Sequence, residues 1–349
     1  MASDLYRLAR AARAEAMRID TAASDRLMAA YGDVYRSLSG ELDALTARLD
    51  AARRAGEPVT PAQLYQEGRL QRLRAQALAQ LQTAEARALP VVREAIAAAH
   101  AQAAASGSAM VEAVRPPGIP TPIATVNLAD AAIAQAVAFT SPGTPLANLF
   151  AAIAPEGAAA IERAIVTGVA SGAHPRVVAR QIAKEIGGNA VRAMTISRTE
   201  IMRAHRGAAI ETYQRHPATI RGWVWVAGLG ARTCASCWAQ NGTEHPLDEA
   251  MASHPRCRCV AAPLTVPWSD LGIDLPEPDP IPLGSDLFAR QSPELQRAVL
   301  GDAKVDAYRA GHVRLEDFVA RRISPTWGPS TSAAGLPEAL ANAAARKAA

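Results

Sequence analysis

The chain has 349 residues, 49% of them apolar but only 4% aromatic, and a net charge of +4. That length buries a sizeable core and suits two or three domains, and the mixed-sign charge, with no basic run of five or more, argues for solvated helix faces rather than a nucleic-acid-binding tail. Much of the apolar content is alanine, the best helix former and a small one, so a mainly helical protein with close helix contacts is expected.

The first residues, Met1-Ala2-Ser3-Asp4, carry no basic segment followed by an apolar one, and no apolar run is long enough to span a bilayer. A soluble protein made in a reducing cytoplasm is expected, where clustered cysteines favour a metal over disulfides.

Residues 4–54 read as one helix, because Leu27, Tyr31, Val34, Leu38, Leu42, Leu45 and Leu49 recur three and four apart and form one stripe. Gly56 and Pro58 stop it. Thr60, Pro61 and Gln63 make a helix start with a capping box. A second long helix follows with Leu64, Leu70, Leu73, Leu81, Val92 and Ile96. The two predict an antiparallel helical hairpin over 1–105, a candidate docking arm.

Gly107, Pro116, Pro117, Gly118, Pro120 and Pro122 predict a linker over 106–126. Shorter helices are expected over 127–219, with breaks at Ser141-Pro142-Gly143, Gly172 to Pro175 and Gly187-Gly188. Trp223, Val224, Trp225 and Val226 change the character to β-strand, and Cys259 to Val266 reads as a returning strand. These bound a module over 220–266. An extended connector and short helices are expected over 267–323, and a mobile tail over 324–349. The fold class is therefore mainly α, with a long N-terminal helical hairpin and a small zinc-stabilised β-hairpin module.

That module carries the chemistry. Its spacing is Cys234-x2-Cys237, nineteen intervening residues, then Cys257-x-Cys259, with His254 three before Cys257. Two tight turns that each offer soft ligands complete a tetrahedron around zinc. The sequence leaves two sets open: the four cysteines, or Cys234, Cys237, His254 and one of Cys257 and Cys259. Either is closed, with four protein ligands and no position for a water, and so predicts a structural zinc rather than a catalytic one. His245 lies in the same loop but is not expected to ligate.

Here the sequence resembles the phage Mu F-like head morphogenesis, or minor capsid, family. The likeness rests on Arg232-Thr233-Cys234-Ala235-Ser236-Cys237, Gly242, His254-Pro255-Arg256-Cys257-Arg258-Cys259 and Pro263. It extends back to Ser197-Arg198-Thr199-Glu200, Arg203-Ala204, Ala208, Tyr213 and Trp223. It extends forward to Gln296, Leu300-Gly301, Tyr308, Gly311 and Leu315 to Phe318, covering about residues 155–320. Ala231 departs from it, standing where an acidic residue is common.

The resemblance implies a low-copy virion protein at the portal vertex inside the head of a tailed bacteriophage, acting in head assembly, DNA packaging or delivery. Its implied partners are the portal protein, other capsid or scaffolding proteins and packaged DNA. Arg198, Thr199 and Glu200 read as a buried ion pair and helix-packing motif.

Two other classes compete. Arg232, Arg256 and Arg258, with Trp223, Trp225 and Trp238 to stack on bases, would suit a nucleic-acid-binding zinc module. An enzyme is not expected. No His-Glu-x-x-His helix marks a zinc hydrolase, and Ser330-Thr331-Ser332, a fragment of an ADP-ribosyltransferase toxin signature, is followed by the lone Glu338.

Overall fold

A computed structural model of the chain describes residues 4–56, 69–119, 146–171, 173 and 175–348. The expected capping box at 60–63 and the break at Ser141-Pro142-Gly143 lie outside the described residues, as do the side chains of Leu42, Leu45, Leu49, Leu64, Leu70 and Leu73. The first helix, α1, spans Asp4–Arg54. The second, α2, spans Arg69–Ala113 and passes straight through Gly107. A side chain at Gly107 would sit 3.4 Å from Thr212, so the glycine serves close helix packing and does not end the helix. After α3 (Leu146–Ala151) and α4 (Ile153–Ala170), α5 runs the length of Pro175–Gln214, through Gly187 and Gly188.

These helices belong to two compact units that do not follow chain order. One is formed by 21–95 and 145–198. In it α1 and α2 run antiparallel, tied by Arg26–Glu94 at 2.7 Å and Asp33–Arg87 at 3.2 Å. Leu27, Tyr31, Val34 and Leu38 are buried, as the stripe requires. Gly157 of α4 packs so closely that an added carbon would lie 2.9 Å from Leu81. Glu85 of α2 accepts the Ala154 N–H at 2.7 Å, satisfying a donor that the start of α4 leaves open.

The other unit comprises 1–20, 96–144 and 199–349. Its sheet has the order β2-β1-β3, all antiparallel, with β1 Ile220–Val226, β2 Glu244–Pro246 and β3 Val260–Thr265. Between β1 and β2 lies the short helix α6, Ala235–Gln240. One core gathers Leu5, Tyr6, Ala9, Ala12 and Ala16 of α1, Met110 and Val111 of α2, Tyr213, the β1 tryptophans and Cys257. The hairpin expected over 1–105 is thus divided between the units, with Leu5 to Ala16 and Ala103 in the core of the cysteine-bearing one.

The C-terminal part forms α7 (Gly284–Ala289), α8 (Pro293–Leu300), α9 (Asp302–Arg309), the antiparallel pair β4 (Val319–Ser324) and β5 (Gly328–Ala333), and α10 (Leu336–Ala348). The expected mobile tail is thus folded. Ala339 and Ala343 of α10 are buried, and Arg346 holds Asp317 through two bonds of 3.0 and 2.9 Å. Trp238, Phe288, Leu300, Val305 and Phe318 make a second core beneath α6. No helix among the described residues is long and apolar enough to cross a membrane.

Candidate metal centre

Cys234 is the N-cap of α6, and its sulfur accepts the Cys237 N–H at 3.5 Å. This knuckle turns both thiols to the same side. The second half is a turn in which the Cys257 N–H donates to the His254 carbonyl at 3.2 Å. Pro255 takes the first central position, and Arg256 the second with φ of +66°. That is the type II pattern, with an arginine where glycine is usual. The turn brings the His254 ring and the Cys257 thiol to one point.

All five expected ligands meet. His254 Nε2 lies 3.3 Å from both Cys234 Sγ and Cys237 Sγ, and Cys237 Sγ lies 3.6 Å from Cys257 Sγ. The candidate ligand atoms form two triads that share Cys237: one with Cys234 and His254, the other with Cys257 and Cys259. Zinc–sulfur bonds of 2.3 Å and zinc–nitrogen bonds near 2.0 Å give tetrahedral edges of about 3.8 Å between sulfurs and about 3.6 Å from sulfur to nitrogen. The observed separations are close to those edges, so the donor set fits a metal of this kind. The His254 Nδ1 lies 2.8 Å from the Pro255 carbonyl, which leaves Nε2 as the ligating nitrogen. All four cysteines are free thiols, three of them buried.

Electrostatics in the cluster follow from crowding. The hydrogen bond with Cys237 lowers the Cys234 pKa to about 5, against burial and with help from His254. Cys257 is also lowered, by its bonds with Cys237 and Cys259, against burial and with help from the Arg206 charge. Cys237, sharing protons with its neighbours, is pushed up. Burial disfavours a charged His254, but its bonds with Cys234 and Cys257 outweigh that and raise it to about 10. Ionised thiols are thus favoured at Cys234 and Cys257, and a divalent cation bound here would be held by thiolates and release the remaining protons.

α5 carries a polar stripe that fixes this loop. Thr199, Arg206 and Tyr213 recur every seven residues and so share a face. Thr199 Oγ1 accepts the Arg256 N–H at 3.1 Å. Arg206 donates to the carbonyls of Cys259 (2.9 Å) and Cys257 (2.8 Å) and to the Ser253 hydroxyl. Tyr213 Oη donates to the Ala261 carbonyl at 3.0 Å. Backbone of the second ligand turn and of β3 is thereby bonded at successive points. Sequence reasoning missed Arg206, and also the buried Asn241, which accepts the Ala227 N–H at 2.8 Å and donates to Pro282 O at 2.8 Å. No local signal marks either, since both act on partners distant in sequence.

Other expected residues fall elsewhere. Glu200 is buried and pairs with Arg203 at 2.9 Å, so the buried ion pair is made by these two. His245 stacks on Trp223 at 4.1 Å and bonds Thr243 and Glu249, outside the cluster. Trp223, Trp225 and Trp238 are each 2% exposed or less. They are core, and the expected platform for bases is corrected: those rings face protein. Ser330-Thr331-Ser332 stands on β5, not in a tail without a strand, and the Thr331 hydroxyl donates to Ala252 O at 2.8 Å. Glu338 pairs with Arg322.

The fold and site define a mainly helical protein in which a long helix and a three-stranded sheet suspend a cysteine–histidine cluster fit to hold a metal. Residues 159–262 match the family model described as Phage Mu protein F like protein, and this segment of the chain is Mu F-like. The match spans α5, β1, β2, the start of β3 and all five cluster residues. No curated protein and no solved structure matches the chain.

Proposed function

We propose that this protein is a minor head protein of a tailed bacteriophage whose cysteine–histidine cluster holds one structural zinc. The observation that carries the reading is that the Mu F-like segment contains all five residues of the cluster. The ligands are Cys234, Cys237 and His254, which form one close triad, with Cys257, 3.6 Å from Cys237, as the fourth once the second turn closes on the ion. Cys259, on the far side of Cys237 and in contact with Trp225, is the alternative to His254. Four protein ligands close the site to water, so its role is to pin the two loops and not to turn over a substrate. The protein sits inside the head at the portal vertex, with the portal protein and other head proteins as partners, and acts in assembly, packaging or delivery of DNA.

Quantitative mass spectrometry of purified particles tests the placement. The chain is expected in mature particles at a few copies relative to the major capsid protein. Finding it in infected-cell extract and never in particles would remove the reading.

A further inference from the structure

The cysteine cluster forms the floor of a cavity of about 360 Å³ whose walls include Arg13, Arg232, Arg256 and Arg258. No Asp or Glu lines it. Arg232 and Arg256 are exposed, Arg13 and Arg258 half-buried. Among the described residues neither Arg232 nor Arg256 has an ion-pair partner.

Two of these arginines are held in place by the fold. Arg256 occupies the left-handed region, which disfavours any residue with a Cβ. Arg13 reaches from α1 to donate its Nε–H to the Arg258 carbonyl at 2.8 Å, and packs on Gly228, where any side chain would collide with its guanidinium. The strain at Arg256 is of the kind that clusters at ligand-binding sites.

The charge balance points the same way. Three thiolates, a neutral imidazole and a divalent ion leave one negative charge, and four thiolates leave two. The two exposed arginines, Arg232 and Arg256, match or exceed either, and buried Arg206 lies behind the loop. Guanidinium groups present forked N–H donors that match phosphate oxygens. With the tryptophans buried, the cavity offers charge and hydrogen bonds but no ring for a base to stack on.

We infer that this arginine-walled cavity binds a phosphate group of a nucleic-acid backbone, without reading sequence. The contact is to duplex DNA as readily as to a single strand, because nothing in the cavity needs an unstacked base. The inference goes beyond the head-protein reading and does not depend on which four residues hold the ion.

The test is fluorescence anisotropy of the full chain, metal-loaded, against a short labelled duplex across a salt series. Arg232→Gln and Arg256→Gln are compared singly and together with Ala231→Glu, which places a carboxylate at the rim. Zinc content and the melting curve of each variant are measured on the same samples. Each lost arginine is expected to lower the slope of log affinity against log salt by about 1, and the double variant to weaken binding at least tenfold with zinc retained. Duplexes of unrelated sequence are expected to bind alike. Unchanged affinity and slope in the double variant and in Ala231→Glu would overturn the inference. So would protection of the cavity by inorganic phosphate alone with no measurable duplex binding, which would make it a free-anion site. Retained zinc in variants that lose the duplex separates failure of this contact from failure of the metal reading.

Discussion

Arg206→Met removes the α5 side chain that donates to the Cys257 and Cys259 carbonyls, leaving Thr199 to hold the Arg256 N–H of the second ligand turn. Methionine keeps length and apolar volume but donates nothing. The carbonyls of Cys257 and Cys259, both in buried residues, lose their donor, and Ser253 loses a partner. Each buried acceptor left unsatisfied costs about 1–3 kcal/mol, so the pair costs about 2–6 kcal/mol. No carboxylate is stranded, which keeps the cost below that of a broken buried ion pair. At about 2–4 °C per kcal/mol for a domain of this size, the melting temperature should fall by about 4–24 °C. Loosening the turn should also weaken zinc binding by about 10- to 100-fold, as loss of an outer-shell support does. Thermal unfolding by circular dichroism and a competition titration with a chromogenic chelator measure both. Arg206→Lys, with a point charge on a flexible stem, should recover part of the stability. A methionine variant that melts within a degree of the parent and holds zinc equally well would refute the clamp.

Four further outcomes follow from the same contacts. Cys237→Ser should abolish metal binding, since Cys237 belongs to both triads; His254→Ala should abolish it while Cys259→Ser retains it, and the reverse pattern, read by metal analysis, would install the four-cysteine set. Gly284→Ala should destabilise the chain by about 1–3 kcal/mol or more, because the new carbon would collide with the Trp238 carbonyl and lie 2.9 Å from its carbon, which a melting curve will show. Burial opposes ionisation of Asp317, but bonds from Arg346 and the Arg314 N–H hold its pKa below the usual value. The folded value being the lower one, its contribution is present above the unfolded pKa of about 3.9 and is lost as pH falls below it. Acid unfolding of the parent should accordingly steepen below about pH 4, an effect absent in Asp317→Asn. Deleting 1–105 should unfold the metal unit rather than spare it, because Leu5, Tyr6 and Ala9 share a core with Trp223 and Cys257; a truncated chain that melts cooperatively with zinc bound would contradict that.

What the sequence disclosed was local. The three- and four-residue recurrence from Leu27 to Leu38 marked α1, and its bounds at 4–54 coincide with the helix. Alternating tryptophan and valine marked β1, and Cys-x2-Cys with His-Pro-Arg-Cys-Arg-Cys marked the cluster. Features made by distant partners stayed hidden. Arg206 looks like any arginine on a charged helix until Cys257 and Cys259 are folded onto it. β5, with glycine, proline, serine and a single β-branched residue in Gly328–Ala333, owes its strand to pairing with β4 and not to propensity. α10 buries alanines, whose small volume gives little periodic signal. Gly107 looks like a helix stop and is a close-packing contact instead, which is why the linker was expected too early.

The central claim is that the cluster is a structural zinc site, and elemental analysis of the full-length chain purified under reducing conditions tests it most directly. One zinc per chain is expected, with loss of cooperative unfolding in residues 220–265 after chelation, followed by hydrogen exchange. A chain that purifies free of metal, or that keeps the same exchange protection after its zinc is stripped, would contradict the account.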